Sequence, residues 1–267
     1  MGPDTFVDDT VRLDARGWAR AAAVWGGEGA VLVGCSAAAM HGALWFDELP
    51  AEVVLPRRAR TPENVLVYRD DIPTEDLCLV DGLLCTTPVR TAFDIGRRGN
   101  EWQAVERLDS LCRATGLTPA EIEEFTLRHP GARNRRRLIR LLPYVDGGAE
   151  SLPESRTRLL LHRSGLPKPE TQITVFRHGT IIARIDMGWR NWLVGVEYDG
   201  AHHWTDPRQR TQDLARYNDL PALGWTIIRA NATLLARHPQ ELITKITAAL
   251  HQHGYPSPSG TSWRGFV

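Results

Sequence analysis

Lysine, cysteine and long hydrophobic runs are scarce in this chain, and each scarcity weighs against a class of protein. Only two lysines occur among 267 residues, so positive charge is carried almost entirely by arginine. No apolar run approaches the roughly 20 residues that a membrane-spanning helix needs, so we expect no membrane association. No two cysteines form a CxxC pair, which weighs against zinc and favours reduced, mostly buried thiols. The cysteines are Cys35, Cys78, Cys85 and Cys112.

A net charge is also absent, because 32 basic residues balance 32 acidic ones. Residues 1–140 carry a net charge of −3 and residues 141–267 a net charge of +3. This balance weighs against a generally basic nucleic-acid binder, so a DNA contact would have to be a local patch. The chain begins with the acidic segment MGPDTFVDD, where a secretory signal would begin basic and then turn apolar. We therefore expect a cytoplasmic protein.

The first half of the sequence predicts a mixed α+β domain over residues 1–147. Ser36 is a candidate N-cap for an alanine-rich helix. Asp81-Gly82, between two apolar stretches, is a hairpin-turn signal. Pro88 suits the first turn of a following helix, and Thr118 begins a segment that resembles a capped helix start.

The densest basic cluster falls on a predicted helix from Asn134 to Leu142. It can neutralise DNA phosphates, or it can be a solvated helix face whose charges pair with nearby acids. Neither interpretation is favoured by the sequence. The arginines are Arg133, Arg135, Arg136, Arg137 and Arg140, and the candidate acidic partners are Glu121, Glu123 and Glu124.

A glycine- and proline-containing linker over residues 144–153 predicts a domain boundary near residue 148. Beyond it the pattern predicts the order α-β-β-β-α-β-α, which is a mixed sheet flanked by helices. We assign residues 148–255 to this second domain and residues 256–267 to a flexible tail. The fold class expected for the whole chain is therefore α/β (α+β).

Two neighbouring strands of the second domain carry acidic side chains. Strict alternation along IIARIDMGW places Ile185 and Met187 on one face and Asp186 on the other. In the next strand Glu197 and Asp199 project together from one face. If the two strands form an antiparallel pair, Asp186 and Glu197 can approach each other.

Acids that share one sheet face repel each other unless a positive charge compensates them. A hard cation such as Mg²⁺, or Mn²⁺ in its place, is a natural compensator, because it takes one or two carboxylates together with waters and phosphate oxygens. Such an ion can polarise a phosphodiester and activate a bound water. Glu154, in the preceding helix, is a candidate further ligand. The alternative is that these acids are surface or salt-bridged residues. Glu154 would then interact with the dipole of its helix, and Asp199 would belong to an Asp-Gly turn.

Four segments in fixed order, ESRTRLLLHRSGLPKPETQ, ARIDMGW, VGVEYDGAHHW and RQRTQDLARYNDLPALGWTIIRA, resemble the very-short-patch-repair-like endonuclease domains. These domains belong to the PD-(D/E)xK restriction-endonuclease-like fold. The resemblance covers about residues 152–250. It implies that Asp186 and Glu197 match the family's metal-binding acids and that Glu154 matches the acid of its first helix.

The general PD-(D/E)xK pattern places lysine two residues after the second acid, where this chain has Asp199. The cation that stabilises the transition state must then come from elsewhere, and His202 or His203 could manage protons or contact a phosphate. The candidates for the cation are Arg184, His202, His203, Arg210 and Arg216. The residues predicted to contact DNA are Arg184, Arg210, Arg216, Arg135, Arg136 and Arg137.

The segments AVLVGCSAAAMHGALW, AEVVLPRR, VYRDDIPTEDLCLVDGLLCTTPVRTAFDIG and AVERLDSLCR resemble the C-terminal part of AbiEi-type type IV toxin–antitoxin regulators. Such regulators usually begin with a winged-helix DNA reader, for which we expect too few residues before Asp14. The resemblance implies that the first domain positions the protein or binds a protein partner.

Three functions follow from these observations. The first is a Mg²⁺-dependent DNA endonuclease or nickase centred on Asp186 and Glu197. The second is a non-catalytic, DNA-associated regulator or antitoxin-like protein that keeps a nuclease fold. The third is an interaction protein of a defence or repair system that makes no direct DNA contact.

Overall fold

The computed structural model describes residues 12–47, 49–56, 60–200 and 219–256. The chain divides into two compact units, Met1–Gly147 and Gly148–Val267, and each contains one β-sheet. Helices flank both sheets, so the α/β class expected from the sequence is confirmed. Within the described ranges, no helix is both long enough and apolar enough to cross a membrane.

The first unit contains six helices and five strands in its described residues. The helices are α1 (Ala15–Gly26), α2 (Gly34–Met40), α3 (Pro88–Arg97), α4 (Glu101–Thr115), α5 (Pro119–Leu127) and α6 (Arg135–Leu141). The strands are β1 (Val31–Leu32), β2 (Ala51–Val54), β3 (Val65–Tyr68), β4 (Leu77–Val80) and β5 (Leu83–Thr86). In the sheet the strands lie in the order β3-β2-β1-β5-β4, with β1–β5 and β2–β3 parallel and the other pairs antiparallel.

Local signals in the sequence explain several of these elements. The β4–β5 hairpin turns at Asp81 and Gly82, both of which have positive φ, so the predicted turn is confirmed. Pro88 lies in the first turn of α3, as its fixed φ and missing N–H allow. Thr118 and Glu121 form a reciprocal capping box at the start of α5.

The start of α2 differs from the sequence prediction. The helix begins at Gly34, and Ser36 lies inside it, where its hydroxyl accepts a hydrogen bond from the Glu52 backbone N–H at 2.8 Å. Gly34 has φ of 51°, and a Cβ atom at this position would lie 1.7 Å from Glu52 Oε2. The residue must therefore be glycine, because a side chain would displace the Glu52 carboxylate.

The thiols agree with the expectation from composition. All four cysteines are free, and Cys35, Cys85 and Cys112 are buried. Burial raises the pKa of each of these three thiols to about 12, so they remain protonated at neutral pH. Their role is to fill the core rather than to react.

Arg90 joins α3 to the loop before β4 through buried ion pairs. Its guanidinium donates to Asp76 at 2.9 Å, to Asp94 at 3.1 Å and to Asp70 at 2.5 Å. Arg97 donates to the other oxygen of Asp94 at 2.6 Å. These charges are tolerated inside the unit because they satisfy one another.

The second unit contains a four-stranded mixed sheet. Its described helices are α7 (Leu152–Arg163), α8 (Ala232–Arg237) and α9 (Pro239–Gln252), and its strands are β6 (Glu170–Arg177), β7 (Thr180–Trp189), β8 (Val194–Tyr198) and β9 (Thr226–Ala230). The strands lie in the order β6-β7-β8-β9. The first three are antiparallel and β9 is parallel to β8. The short helix α8, capped by Asn231, was not predicted from the sequence.

The two faces of this sheet carry separate hydrophobic clusters. Ile228 packs with Val196, Met187 and helices α7 and α9, whereas its chain neighbour Ile227 packs with Ile185 and the opposite cluster. Because successive residues of a strand face opposite sides, the two clusters lie on opposite faces. The sheet is therefore covered on both sides.

Candidate functional site

Asp186 and Glu197 both lie just beyond the last register pair of the antiparallel strands β7 and β8. The register runs from Trp189↔Val194 to Met187↔Val196, and one further step along the two strands reaches these acids. Asp186 Oδ2 accepts a hydrogen bond from the Tyr198 backbone N–H at 2.8 Å. The predicted antiparallel strand pair is thus confirmed, and the carboxylate of Asp186 reaches the backbone next to Glu197.

Strict alternation along β7, expected from the sequence, is wrong at Asp186. Ile185 and Met187 pack in clusters on opposite faces, so the strand changes its facing between them. Gln172, in the neighbouring strand β6, has φ of 51°, a value that is rare within a strand. A period of two assumes an undistorted strand, which is why it failed at this position.

The environment of Asp186 disfavours its charged form. Burial and the nearby Glu154 and Glu150 raise the pKa of its carboxyl to about 6 from an ordinary value of 3.8. The hydrogen bond from the Tyr198 N–H acts in the opposite direction and lowers this pKa. The opposing effect of Arg184 is smaller. Asp186 therefore lies in an acidic environment that a cation would stabilise.

Glu154 is buried at the start of α7, where both of its carboxylate oxygens accept hydrogen bonds. Oε1 accepts from the Ser151 hydroxyl at 2.8 Å, and Oε2 accepts from the Glu150 N–H at 2.8 Å and from Gln172 Nε2 at 3.2 Å. The Glu154 N–H in turn donates to Ser151 Oγ. This reciprocal capping supports a structural role, and metal ligation by Glu154 remains a prediction.

Two further predicted residues have defined positions. Arg184 donates to Glu150 at 2.5 Å, so its charge is directed to the acid that precedes α7. Asp199 follows β8, and its backbone N–H donates to the Ala230 carbonyl at 2.7 Å, which extends the pairing with β9. Asp199 thus lies at the end of the strand that carries Glu197.

Arg229 is a neighbour of Glu197 that the sequence did not indicate. In the parallel pair of β8 and β9, Arg229 is the register partner of Glu197. Glu197 is buried and Arg229 is exposed. Only the register of β9 with β8, which joins residues distant in sequence, shows that this arginine is the neighbour of Glu197.

In the first unit the arginines of α6 divide into two groups. Arg135 donates to the Thr126 carbonyl at 3.0 Å and Arg137 to the Arg98 carbonyl at 3.1 Å. Arg136 and Arg140 are exposed, and Arg140 lies 3.5 Å from Glu101. Arg135 and Arg137, both predicted to contact DNA, therefore have structural hydrogen bonds, whereas Arg136 projects toward solvent.

Several predicted residues lie outside the described residues. They are His202, His203, Arg210 and Arg216, together with all of the predicted tail 256–267 except Pro256. Across the described ranges, no group of three or more His, Cys, Asp or Glu side chains is arranged to hold a metal ion. Metal binding by Asp186 and Glu197, with water and phosphate oxygens completing the shell, remains a prediction.

Comparison with known proteins identifies part of the first unit. Residues 30–144 match the family described as the AbiEi antitoxin C-terminal domain. The match lies entirely within the first unit, Met1–Gly147, and so covers less than half of the chain. The AbiEi-like part of the resemblance seen in the sequence is confirmed.

Two similar proteins come from Mycobacterium tuberculosis. The uncharacterized protein MT2308 of strain CDC 1551 / Oshkosh and the uncharacterized protein Rv2248 of strain H37Rv are each 33% identical to this chain over 171 residues. The matched region is 64% of this chain and 63% of each relative. No solved structure matches the chain. The resemblance of the second unit to very-short-patch-repair-like nucleases gains no support from these comparisons and remains a prediction.

Proposed function

We propose that this protein is an antitoxin-like regulator that associates with DNA without cleaving it. The observation that carries the proposal is the match of residues 30–144 to the AbiEi antitoxin C-terminal domain, which falls within one compact unit. A regulator of this kind needs a surface for DNA or for a protein partner, and catalysis is not required of it. A protein partner bound by the first unit is part of the same proposal.

The α6 surface is the candidate DNA contact in the first unit. Arg133, Arg136 and Arg140 are exposed, whereas the hydrogen bonds of Arg135 and Arg137 hold the helix in place. Exposed arginines bind phosphate oxygens through paired N–H groups and release counterions from DNA. A local patch of this type is compatible with a chain of zero net charge.

The salt dependence of DNA affinity tests this proposal. We expect the full chain to bind a fluorescent duplex in EDTA, and the slope of log affinity against log salt to fall by about one unit for each lost phosphate contact. Arg136→Ala should lower that slope, and Arg69→Ala, at an exposed arginine elsewhere in the first unit, should not. Absence of duplex binding by the wild type would contradict DNA association.

A second function, a metal-dependent endonuclease or nickase, is favoured by one specific observation. The pKa of Asp186 is raised to about 6 by burial and by neighbouring acids, at the point where its strand meets the strand of Glu197. Asp186 and Glu197 would hold Mg²⁺ or Mn²⁺, and Glu154 and Asp199 would assist if Glu154 exchanged its present hydrogen bonds. The ion would polarise the phosphodiester and lower the pKa of a bound water.

A plasmid-nicking assay tests the second function. The wild type should convert supercoiled plasmid to the open circle in Mg²⁺ or Mn²⁺ and not in EDTA. Asp186→Asn and Glu197→Gln should abolish the conversion while circular dichroism shows an intact fold, and Glu170→Gln, at an exposed acid of the same sheet, should leave it unchanged. Wild-type protein that does not nick in either metal would exclude this function.

A further inference from the structure

The acidic centre of the second unit lacks a positive charge on β8 itself. Asp199 occupies the position two residues after Glu197. On the neighbouring strand β7, the charge of Arg184 is directed to Glu150. A phosphate that approached Asp186 and Glu197 would therefore meet mostly negative charge unless another strand supplied a cation.

Strand β9 places such a cation next to Glu197. The parallel register pairs Glu197 with Arg229 and Val196 with Ile228. Adjacent strands lie about 4.8 Å apart, and side chains of register partners project to the same side. A Cβ added at Gly195 would meet Ile227 Cδ1 at 2.7 Å, so the register partners Gly195 and Ile227 face the same side of the sheet. Because side chains alternate along a strand, Glu197 and Arg229, two residues further on, face that side as well.

The burial of the two side chains gives them different roles. Glu197 is 7% exposed, whereas Arg229 is exposed. A long arginine side chain can lie along the sheet and still present its guanidinium to a ligand at the surface. The planar guanidinium can also bind two phosphate oxygens at once, which suits a phosphodiester better than a lysine ammonium does.

We propose that Arg229 is a phosphate-binding residue beside Glu197 and supplies the positive charge that β8 itself lacks. The inference rests on the proposed association with DNA. It assigns to β9 a direct contact with the nucleic-acid backbone, next to Glu197.

DNA affinity in EDTA tests the contact without any cleavage. For the full chain, Arg229→Ala should lower the slope of log affinity against log salt by about one, the value for one lost phosphate contact. Arg229→Lys keeps the charge and should keep the slope. Arg177→Ala is the matched control, because Arg177 is also an exposed strand arginine of the same sheet, and its removal breaks only a surface ion pair with Asp219.

Chemical rescue separates a direct contact from a structural role. Guanidinium ion well below denaturing concentrations should restore DNA affinity to Arg229→Ala, and sodium chloride at the same ionic strength should not. Unchanged affinity and slope for Arg229→Ala, while the wild type binds DNA, would overturn this inference alone. Loss of affinity without rescue, together with a lower melting temperature, would also overturn it. Absence of DNA binding by the wild type would overturn the proposed function and the inference with it.

Discussion

Asp186 shows how a single residue couples pH to stability. Its folded-state pKa of about 6 lies above the ordinary value of 3.8, so the folded protein holds the proton more tightly than the unfolded chain. The contribution of this carboxyl group to the stability of the folded protein is therefore greatest below pH 3.8, and it is lost as pH rises through about 6. The full loss corresponds to at most about 3 kcal/mol, because one pKa unit is worth about 1.4 kcal/mol.

Asp186→Asn should therefore stabilise the metal-free protein in a pH-dependent way. We expect a gain of about 1–3 kcal/mol at pH 8 and less than about 1 kcal/mol at pH 4, since asparagine resembles the protonated acid and can still accept from Tyr198. Urea unfolding of wild type and variant at both pH values measures the difference. Asp219→Asn, at an exposed acid, is the control. An equal gain at both pH values would contradict the assignment of the shift to Asp186.

Loss of Arg90 should destabilise the first unit strongly. Arg90→Met would leave Asp76 and Asp94 buried without their shared partner, at a cost of about 3–5 kcal/mol. Thermal unfolding should show a large fall in melting temperature. Arg20→Met removes an exposed pair with Asp81 and should leave the melting temperature nearly unchanged. Equal effects of the two substitutions would show that the buried pairs contribute little.

The elements of the fold could be predicted where local chemistry determines them. The Asp81-Gly82 turn joins β4 to β5, Pro88 lies in the first turn of α3, and the capping box of α5 marks its start. Sheet order could not be predicted, because the β1–β5 and β8–β9 pairs join residues that are distant in sequence. For the same reason the sequence did not indicate that Arg229 lies next to Glu197, because this neighbourhood depends on the pairing of β8 with β9.

At α6 the two interpretations of the arginine cluster predict different stability effects. Arg135→Ala should cost about 1–2 kcal/mol, because the side chain donates to the Thr126 carbonyl. Arg136→Ala should stay within about 0.5 kcal/mol of wild type, because its side chain is exposed. Urea midpoints measure both, and a large cost for Arg136→Ala would argue against its assignment to a ligand-binding surface. The sequence offered nearby glutamates as ion-pair partners of these arginines, but Arg135 and Arg137 donate hydrogen bonds to backbone carbonyls instead.

On the scale of the whole molecule, the family match and the acidic centre belong to different units. The AbiEi-like region lies within Met1–Gly147, whereas Asp186, Glu197 and Arg229 lie within Gly148–Val267. The chain spans about 63% of the length of its curated relatives, so the activity of the whole protein is proposed from its parts. Because the whole chain has zero net charge, a contact of either unit with DNA would have to be made by a local patch of basic residues.

The central claim is that this protein holds DNA without needing hydrolysis at its acidic centre. The most direct measurement is the affinity of the full chain for supercoiled plasmid, compared between wild type and the Asp186→Asn/Glu197→Gln double variant, with the plasmid analysed for nicks in the same samples. The account predicts that both proteins retain the plasmid and that the plasmid stays intact throughout, in EDTA and in Mg²⁺. Nicking by the wild type in Mg²⁺ that disappears in the double variant would contradict it and establish the endonuclease instead.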